Sequence, residues 1–238
     1  MSEKTIGILG GMGPEATLDC YARIIQCTPA ETDQQHLRVI IDSNPKVPDR
    51  TAAIIGDGPS PVPILVAGCR TLQSAGADFI IIPCVSAHFF LEEVQQQIQV
   101  PILSIFDAVC DSISSQHAEI DTVGLMGTTG TISGGLFQKH LTSANIKTLV
   151  PDDTQQTRVM ASIYDIKNSH SKRSRKQITS DLVAVAESLV AKGAQGIVAG
   201  CTEIPLALKQ EHLSVPYFDA VTILARNAVI VAGMTPAP

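Results

Sequence analysis

Three landmarks recur along this chain of 238 residues at one fixed spacing. Ile6-Gly7-Ile8-Leu9-Gly10 stands 117 positions before Val123-Gly124-Leu125-Met126-Gly127, Gly76-Ala77 stands 117 before Gly193-Ala194, and Cys84 stands 117 before Cys201. A strand, a helix-to-strand turn and a cysteine-bearing loop that recur together in register describe duplicated halves. Halves of about 100 residues are each long enough to bury a core of their own.

Each half follows the same grammar. In the first, Lys4 to Leu9 and Arg38 to Asp42 are β-rich runs, Ala16 to Ile25 and Ile64 to Ser74 have helical spacing, and Asp78 to Pro83 is a continuous apolar run of the buried-strand type. In the second, Thr122 to Met126, Ile146 to Val150 and Gln195 to Ala199 are the strand-like runs, with Gly135 to Thr142 and Asp181 to Lys192 helical. Helices alternating with uniformly apolar strands predict an α/β fold of two similar domains, each with a parallel sheet covered on both faces. Val100-Pro101-Ile102-Leu103 and Val215-Pro216-Tyr217-Phe218 read as matching last strands, each leading into a helix (Asp107 to Ile113, Asp219 to Val231). The expected division is therefore 1–105 plus 215–238 for the first domain and 106–214 for the second. The proline-rich stretch 57–63 is a loop, because periodic structure resumes directly after it.

Composition excludes several classes of function. A net charge of −6 with pI near 5.4 offers no field for a phosphate backbone, so nucleic acid is not an expected partner. An apolar share of 45% with 17% charged residues describes a packed chain, not a disordered one. The densest apolar stretch, Phe79 to Ile82, stops at Pro83, well short of the roughly 20 residues of a membrane helix, and Met1-Ser2-Glu3-Lys4 does not open a secretory leader. Six cysteines without a C-x-x-C pair read as reduced thiols of a cytoplasmic protein.

Two kinds of motif carry chemistry. Gly11-Met12-Gly13-Pro14-Glu15-Ala16 fits G-x-G-x-x-A, with Asp42 ending the next β run. That pattern is open to three readings: a dinucleotide fingerprint, a small-anion loop at a helix N-terminus, or a turn that only packs. Pro14 removes one of the backbone donors a pyrophosphate would meet, and Gly127-Thr128-Thr129-Gly130-Thr131 in the second half lacks the fingerprint. The other kind is the cysteine pair, Pro83-Cys84-Val85-Ser86-Ala87-His88 and Gly200-Cys201-Thr202-Glu203-Ile204-Pro205. Each cysteine follows an apolar strand and so falls at a strand's carboxyl end, where parallel sheets build binding crevices. A lone buried cysteine is usually packing. Two at equivalent points of a duplicated fold are expected to face one cleft between the domains from opposite sides. Backbone amides after each cysteine are expected to favour thiolate. No metal is expected, because zinc would require further ligands and only His88 is near in sequence.

Taken together, Gly10 to Thr17, Asn44-Pro45 with Pro48-Asp49-Arg50-Thr51, Cys84 with Ala87-His88, Gly127 to Thr131, and Gly200-Cys201-Thr202-Glu203-Ile204-Pro205-Leu206 resemble the aspartate/glutamate racemase family, nearest to its aspartate racemases. The resemblance spans nearly the whole chain. It implies two Rossmann-like domains, a cofactor-independent reaction and a homodimer, and it places Arg50 and Lys167 at the substrate's side-chain carboxylate. The chain departs from the family's pattern in one place: Val85-Ser86 stands where Asn-Thr is usual, so the amide is lost and a hydroxyl kept.

Racemisation removes an α-proton from one face and delivers another to the opposite face. A thiolate and a thiol facing each other across Cα can do both, so Cys84 and Cys201 are the expected catalytic pair on aspartate, with glutamate the close alternative. Ser86, Thr129, Thr202 and the backbone of the Met12 loop are suited to stabilise the carbanion-like state at the α-carboxylate. His88 either orients the first loop or is a satisfied helix-start histidine; Glu203 either holds the second loop or assists a proton relay. Two other classes compete: a protein that binds a small dicarboxylate without chemistry, and a sibling decarboxylase or cis-trans isomerase on the same cysteines. Cys20, Cys27, Cys69 and Cys110 fall in helical patterns and read as packing, and Lys172 to Lys176 reads as a solvated helix start.

Overall fold

The computed structural model describes residues 3–168 and 170–237; Met1 and Ser2, part of the stretch read for a leader, lie outside them. The chain divides into two units, Met1–Ala108 with Val221–Pro238, and Val109–Ala220.

In the first unit, β1 (Ile6–Gly10) leads into α1 (Pro14–Cys27), followed by β2 (Val39–Ser43), α2 (Arg50–Ile55), α3 (Val62–Ser74), β3 (Phe79–Ile81) and α4 (Leu91–Gln95). The three strands are parallel in the order β2-β1-β3, and Ile102 extends the sheet by a single parallel bridge to Ile80. β1 is buried throughout its length, as the central strand of a sheet covered on both faces must be. The core joins Leu9, Ile80 and Ile82 to Leu65, Val66, Cys69 and Leu72 on the inner face of α3.

The chain passes from the first unit to the second inside α5 (Ile105–Gln116). The second unit then holds β4 (Thr122–Gly127), α6 (Thr129–Gly134), α7 (Leu136–Ser143), β5 (Lys147–Leu149), α8 (Asp153–Lys167), α9 (Arg175–Ala191), β6 (Gly196–Gly200) and β7 (Tyr217–Asp219), before α10 (Ala220–Val231). Its sheet is parallel in the order β5-β4-β6-β7. Val159 and Ile163 of α8, Leu182 and Val185 of α9, and Ile197 of β6 form its core.

The duplication extends to hydrogen bonds. Ile80 N–H donates to Pro101 O and Ile197 N–H donates to Pro216 O, each at 2.9 Å, so both proline-bearing segments dock on the third strand in the same way. They differ in extent: the first makes one bridge at Ile102, the second a three-residue strand. The second unit accordingly reaches Ala220, beyond the expected end at 214, because Tyr217, Phe218 and Asp219 pair with Ile197, Val198 and Ala199.

Most elements lie where periodicity places them, but α8 has no counterpart in the sequence reading. Its polar opening, Asp153-Thr154-Gln155-Gln156-Thr157-Arg158, hides the apolar stripe of Val159, Ile163 and Ile166 that follows. A capping box marks its start: the Asp152 carboxylate accepts from Gln155 N–H at 2.9 Å, and Gln155 Oε1 accepts from Asp152 N–H at 3.2 Å. The basic run is the start of α9. Ser174 caps it, and Arg173 is ion-paired to Asp165 and Asp181.

Candidate active site

In the first unit the loop after β1 is fixed by its own side chains. Gly11 N–H donates to the buried Thr17 hydroxyl at 2.8 Å, which donates onward to Gly13 O at 2.9 Å. Gly11 has φ +91°, and a Cβ there would stand 2.3 Å from the Asn44 backbone, so only glycine lets the two loops approach this closely. Pro14 occupies the first turn of α1. Asp42 lies against α3: a Cβ on Gly68 would be 2.9 Å from its Oδ2. Burial, with the Asp42 charge second, pushes the Cys69 thiol up to about 12. A ribose partner at the end of β2 would need an outward carboxylate; Asp42 instead faces the helix.

Arg50 opens α2, whose N-cap Asp49 accepts from Ala52 N–H at 2.8 Å. Its guanidinium donates to Pro48 O at 3.0 Å, Val47 O at 3.2 Å and Met12 O at 3.4 Å, while its buried Nε has no partner. Among the described residues Arg50 meets carbonyl oxygens and no carboxylate. Three neutral acceptors orient the guanidinium without cancelling its charge.

Cys84 lies just past β3, 5% exposed and extended, and opens the 3-10 turn Val85–Phe90. His88 is buried within that turn. Its Nδ1 donates to Cys84 O at 3.0 Å, its Nε2 stands 3.4 Å from Leu103 O, and its ring meets the Phe106 ring edge-on at 5.6 Å. The imidazole thus ties the cysteine's backbone to the segment entering α5. Val85 and Ser86 are both buried, so the Val85 position presents methyl groups where the family's pattern has an amide.

In the second unit Cys201 follows β6 at the same 5% exposure. Its Sγ–H donates to Glu203 Oε2 at 3.0 Å, the Thr202 hydroxyl donates to the same oxygen at 3.3 Å, and Glu203 Oε1 takes Lys167 Nζ at 2.7 Å. Glu203 is 3% exposed, whereas the Lys167 side chain at the end of α8 is 31% exposed. Burial and then the Glu203 charge push the Cys201 thiol well above its ordinary range, with Lys167 pulling the other way. The Glu203 backbone amide does favour thiolate, as expected, but burial and the Glu203 carboxylate outweigh it. Lys167, expected at a substrate carboxylate, is paired to a carboxylate of its own unit.

Thr129 begins α6 behind its N-cap Thr128. Its N–H donates to Met160 Sδ at 3.1 Å, and its hydroxyl accepts from Gln156 Nε2 at 3.4 Å. The same Gln156 amide donates to Gly127 O at 3.0 Å, leaving a buried Oε1 with no partner. The structure thus gathers Met12 with Arg50, Cys84 with Val85, Ser86 and His88, Cys201 with Thr202, Glu203 and Lys167, and Thr129 with two residues of α8. Gln156 and Met160 escaped the sequence reading because the helix that carries them did, although its capping box was legible. Among the described residues no cluster of three or more His, Cys, Asp or Glu could hold a metal ion, and no helix is long and apolar enough to cross a membrane.

Residues 9–228 match the family model of Asp/Glu/hydantoin racemases. The chain belongs to the Asp/Glu/hydantoin racemase family. Within that family it is 28% identical to the broad specificity amino-acid racemase RacX of Bacillus subtilis, over 94% of this chain and 96% of that one. Among solved structures it is similar to Picrophilus torridus aspartate racemase, with TM-score 0.87 and 29% identity over 98% of this chain and 96% of that one. It is also similar to an aspartate racemase homologue from Pyrococcus horikoshii, with TM-score 0.77 and 27% identity over 97% and 100%. An Asp/Glu/hydantoin racemase is an isomerase, and its members named here act on amino acids or are named for doing so.

Proposed function

We propose that this racemase inverts aspartate without a cofactor, with Cys84 and Cys201 as its two proton-transferring thiols. The observation that carries the reading is their equivalence. Each lies beyond the carboxyl end of the third strand of its unit's β-β-β core, β2-β1-β3 in the first and β5-β4-β6 in the second, and each is 5% exposed. In this mechanism one thiolate takes the α-proton, forming S–H as C–H breaks. The other thiol gives its proton to the opposite face of Cα. Ser86, Thr129, Thr202 and the Met12 backbone supply donors for the negative charge that gathers on the α-carboxylate. Arg50 meets the distal carboxylate, a role supported by the charge it keeps uncancelled among carbonyls. Glutamate, one methylene longer, is the close alternative. The same reading includes a homodimer, in line with the family resemblance, and a cytoplasmic setting, in line with six free thiols.

Val85 favours a second reading, a broader substrate range. A buried valine offers no hydrogen bond where the family's pattern has an amide, and RacX, a relative over nearly the full length, is named for broad specificity. The test is incubation of the protein without added cofactor in deuterated water with each enantiomer of aspartate, glutamate, alanine and serine. The expected result is an inverted product carrying α-deuterium, fastest for aspartate. Fastest turnover of alanine or serine would replace the first reading by the second, and inversion that depends on added pyridoxal phosphate or metal would overturn the two-thiol mechanism.

A further inference from the structure

The threonines that follow β4 differ in what their hydroxyls do. Those of Thr128 and Thr131 are buried and bond to one another at 3.0 Å, and Thr131 N–H donates to Thr128 Oγ1 at 3.1 Å. Thr129 is half-buried; its N–H goes to Met160 Sδ at 3.1 Å, and its hydroxyl accepts from Gln156 Nε2 at 3.4 Å. A separation of four residues puts Gln156 and Met160 on one face of α8, so a single helix face addresses both polar groups of Thr129. A glutamine amide has two hydrogens to give, and the other goes to Gly127 O at 3.0 Å. That carbonyl settles the direction of the hydroxyl. It has no proton to offer, so the amide must present its nitrogen there; a flipped amide would set two acceptor oxygens against each other. The orientation leaves Oε1 buried with no partner, a cost that the nitrogen side has to offset. With the nitrogen donating, one lone pair of Thr129 Oγ1 is occupied and its proton is turned away from Gln156. Among the described residues no acceptor takes that proton.

Resting on the racemase reading, we propose that Gln156 is a positioning residue that holds the Thr129 hydroxyl as a donor to the α-carboxylate of the substrate. A hydroxyl left to rotate meets a carboxylate with its lone pairs as readily as with its proton, and has to be reoriented when charge gathers there. Gln156 occupies the lone pair beforehand, so the donor is aimed before the α-proton leaves. Thr129 is the group that touches substrate, and the glutamine acts through it; no bond to Gln156 forms or breaks in the reaction. Gln156, Met160, Gly127 and Thr129 all belong to the second unit, so the aiming of this donor needs no residue of the first.

A double-mutant cycle tests this. Gln156→Met removes the amide with little change in length, and Thr129→Val removes the hydroxyl with little change in volume. The two variants and their combination are compared with the parent on the amino acid of the panel that the parent binds most tightly, for kcat/KM of racemisation and for Kd by calorimetry. Alone, each substitution should lower kcat/KM about tenfold and weaken Kd by less, because the hydrogen bond strengthens as charge gathers. In the Thr129→Val background, Gln156→Met should change either quantity by less than about twofold, since the hydroxyl it orients is gone. Equal losses from Gln156→Met in both backgrounds would show that the glutamine only braces the loop through Gly127 O, and no loss beside an intact Thr129 would show that the hydroxyl needs no orienting; either result overturns the proposal. Gln156→Leu repeats the cycle if Gln156→Met loses native circular dichroism, and loss of the fold in both makes the glutamine structural and overturns it as well. A parent that binds amino acids without inverting them would sink the racemase reading, and the cycle in Kd would still decide the part played by Gln156. A parent that binds none of the panel overturns both.

Discussion

The loop after β3 surrounds its cysteine with a histidine and hydrophobic walls, whereas the loop after β6 surrounds its own with a glutamate, a threonine and a lysine reached from another helix. Backbone setting is comparable in both: a parallel strand beside the first strand of its unit, a cysteine within three residues of its end, and a 3-10 turn beginning within three residues of that cysteine. The partners differ in kind. His88 grips the carbonyl of Cys84 and so fixes where the residue is, while Glu203 grips the sulfur of Cys201 and so acts on what the residue is. Duplication of the fold thus yields two cysteines at comparable strand ends whose neighbours differ in chemistry.

The largest effect tests the equivalence itself. Cys84→Ser and Cys201→Ser should each lower racemisation about 10²–10⁴-fold, the range of a positioned acid or base, as followed by chiral chromatography. Near-parental turnover in either variant would make the two loops unequal in role as well as in partners. Next comes the glycine at the end of each central strand. A Cβ on Gly10 would stand 2.3 Å from the Thr17 side chain, which is held by two hydrogen bonds, whereas on Gly127 its nearest neighbour is Gly200 O at 3.0 Å. Gly10→Ala should cost about 3 kcal/mol in urea unfolding and Gly127→Ala about 1; the reverse order would show that the first loop yields more easily than its hydrogen bonds imply. For Arg50→Ala the expected loss is about ten- to a hundredfold in kcat/KM for aspartate, with little change for alanine. The smallest contrast sets Thr17 against Thr128. Thr17→Val leaves the buried Gly11 N–H unpaired, costing about 2 kcal/mol, while Thr128→Val removes a helix cap worth about 1 kcal/mol. Equal melting temperatures for the two would erase that difference between the loops.

The repeat at 117 residues was enough to read two α/β halves with parallel sheets and a cysteine after the third strand of each, because strand runs and their ends follow from hydrophobic pattern and from spacing. Two things escaped it. Helix α8 opens with six polar residues, so periodicity alone passes over it, and with it went Gln156, Met160 and the origin of Lys167. The direction in which Cys201 is driven also escaped. A sequence shows Glu203 two residues on, but whether that side chain turns toward the sulfur or away depends on a lysine 36 positions distant that reaches back to meet it. Charge partners brought together by folding leave no periodic trace.

The central claim, one thiol for each face of the substrate, is tested most directly by α-proton exchange in the two single-cysteine variants. Each enantiomer of aspartate is incubated separately in deuterated water with Cys84→Ser and with Cys201→Ser, and α-deuterium is followed by NMR. Complementary exchange is the predicted result: each variant labels only the enantiomer whose α-proton its remaining cysteine can reach, without inverting it. Exchange of the same enantiomer by both variants would contradict the account, since both thiols would then act on one face.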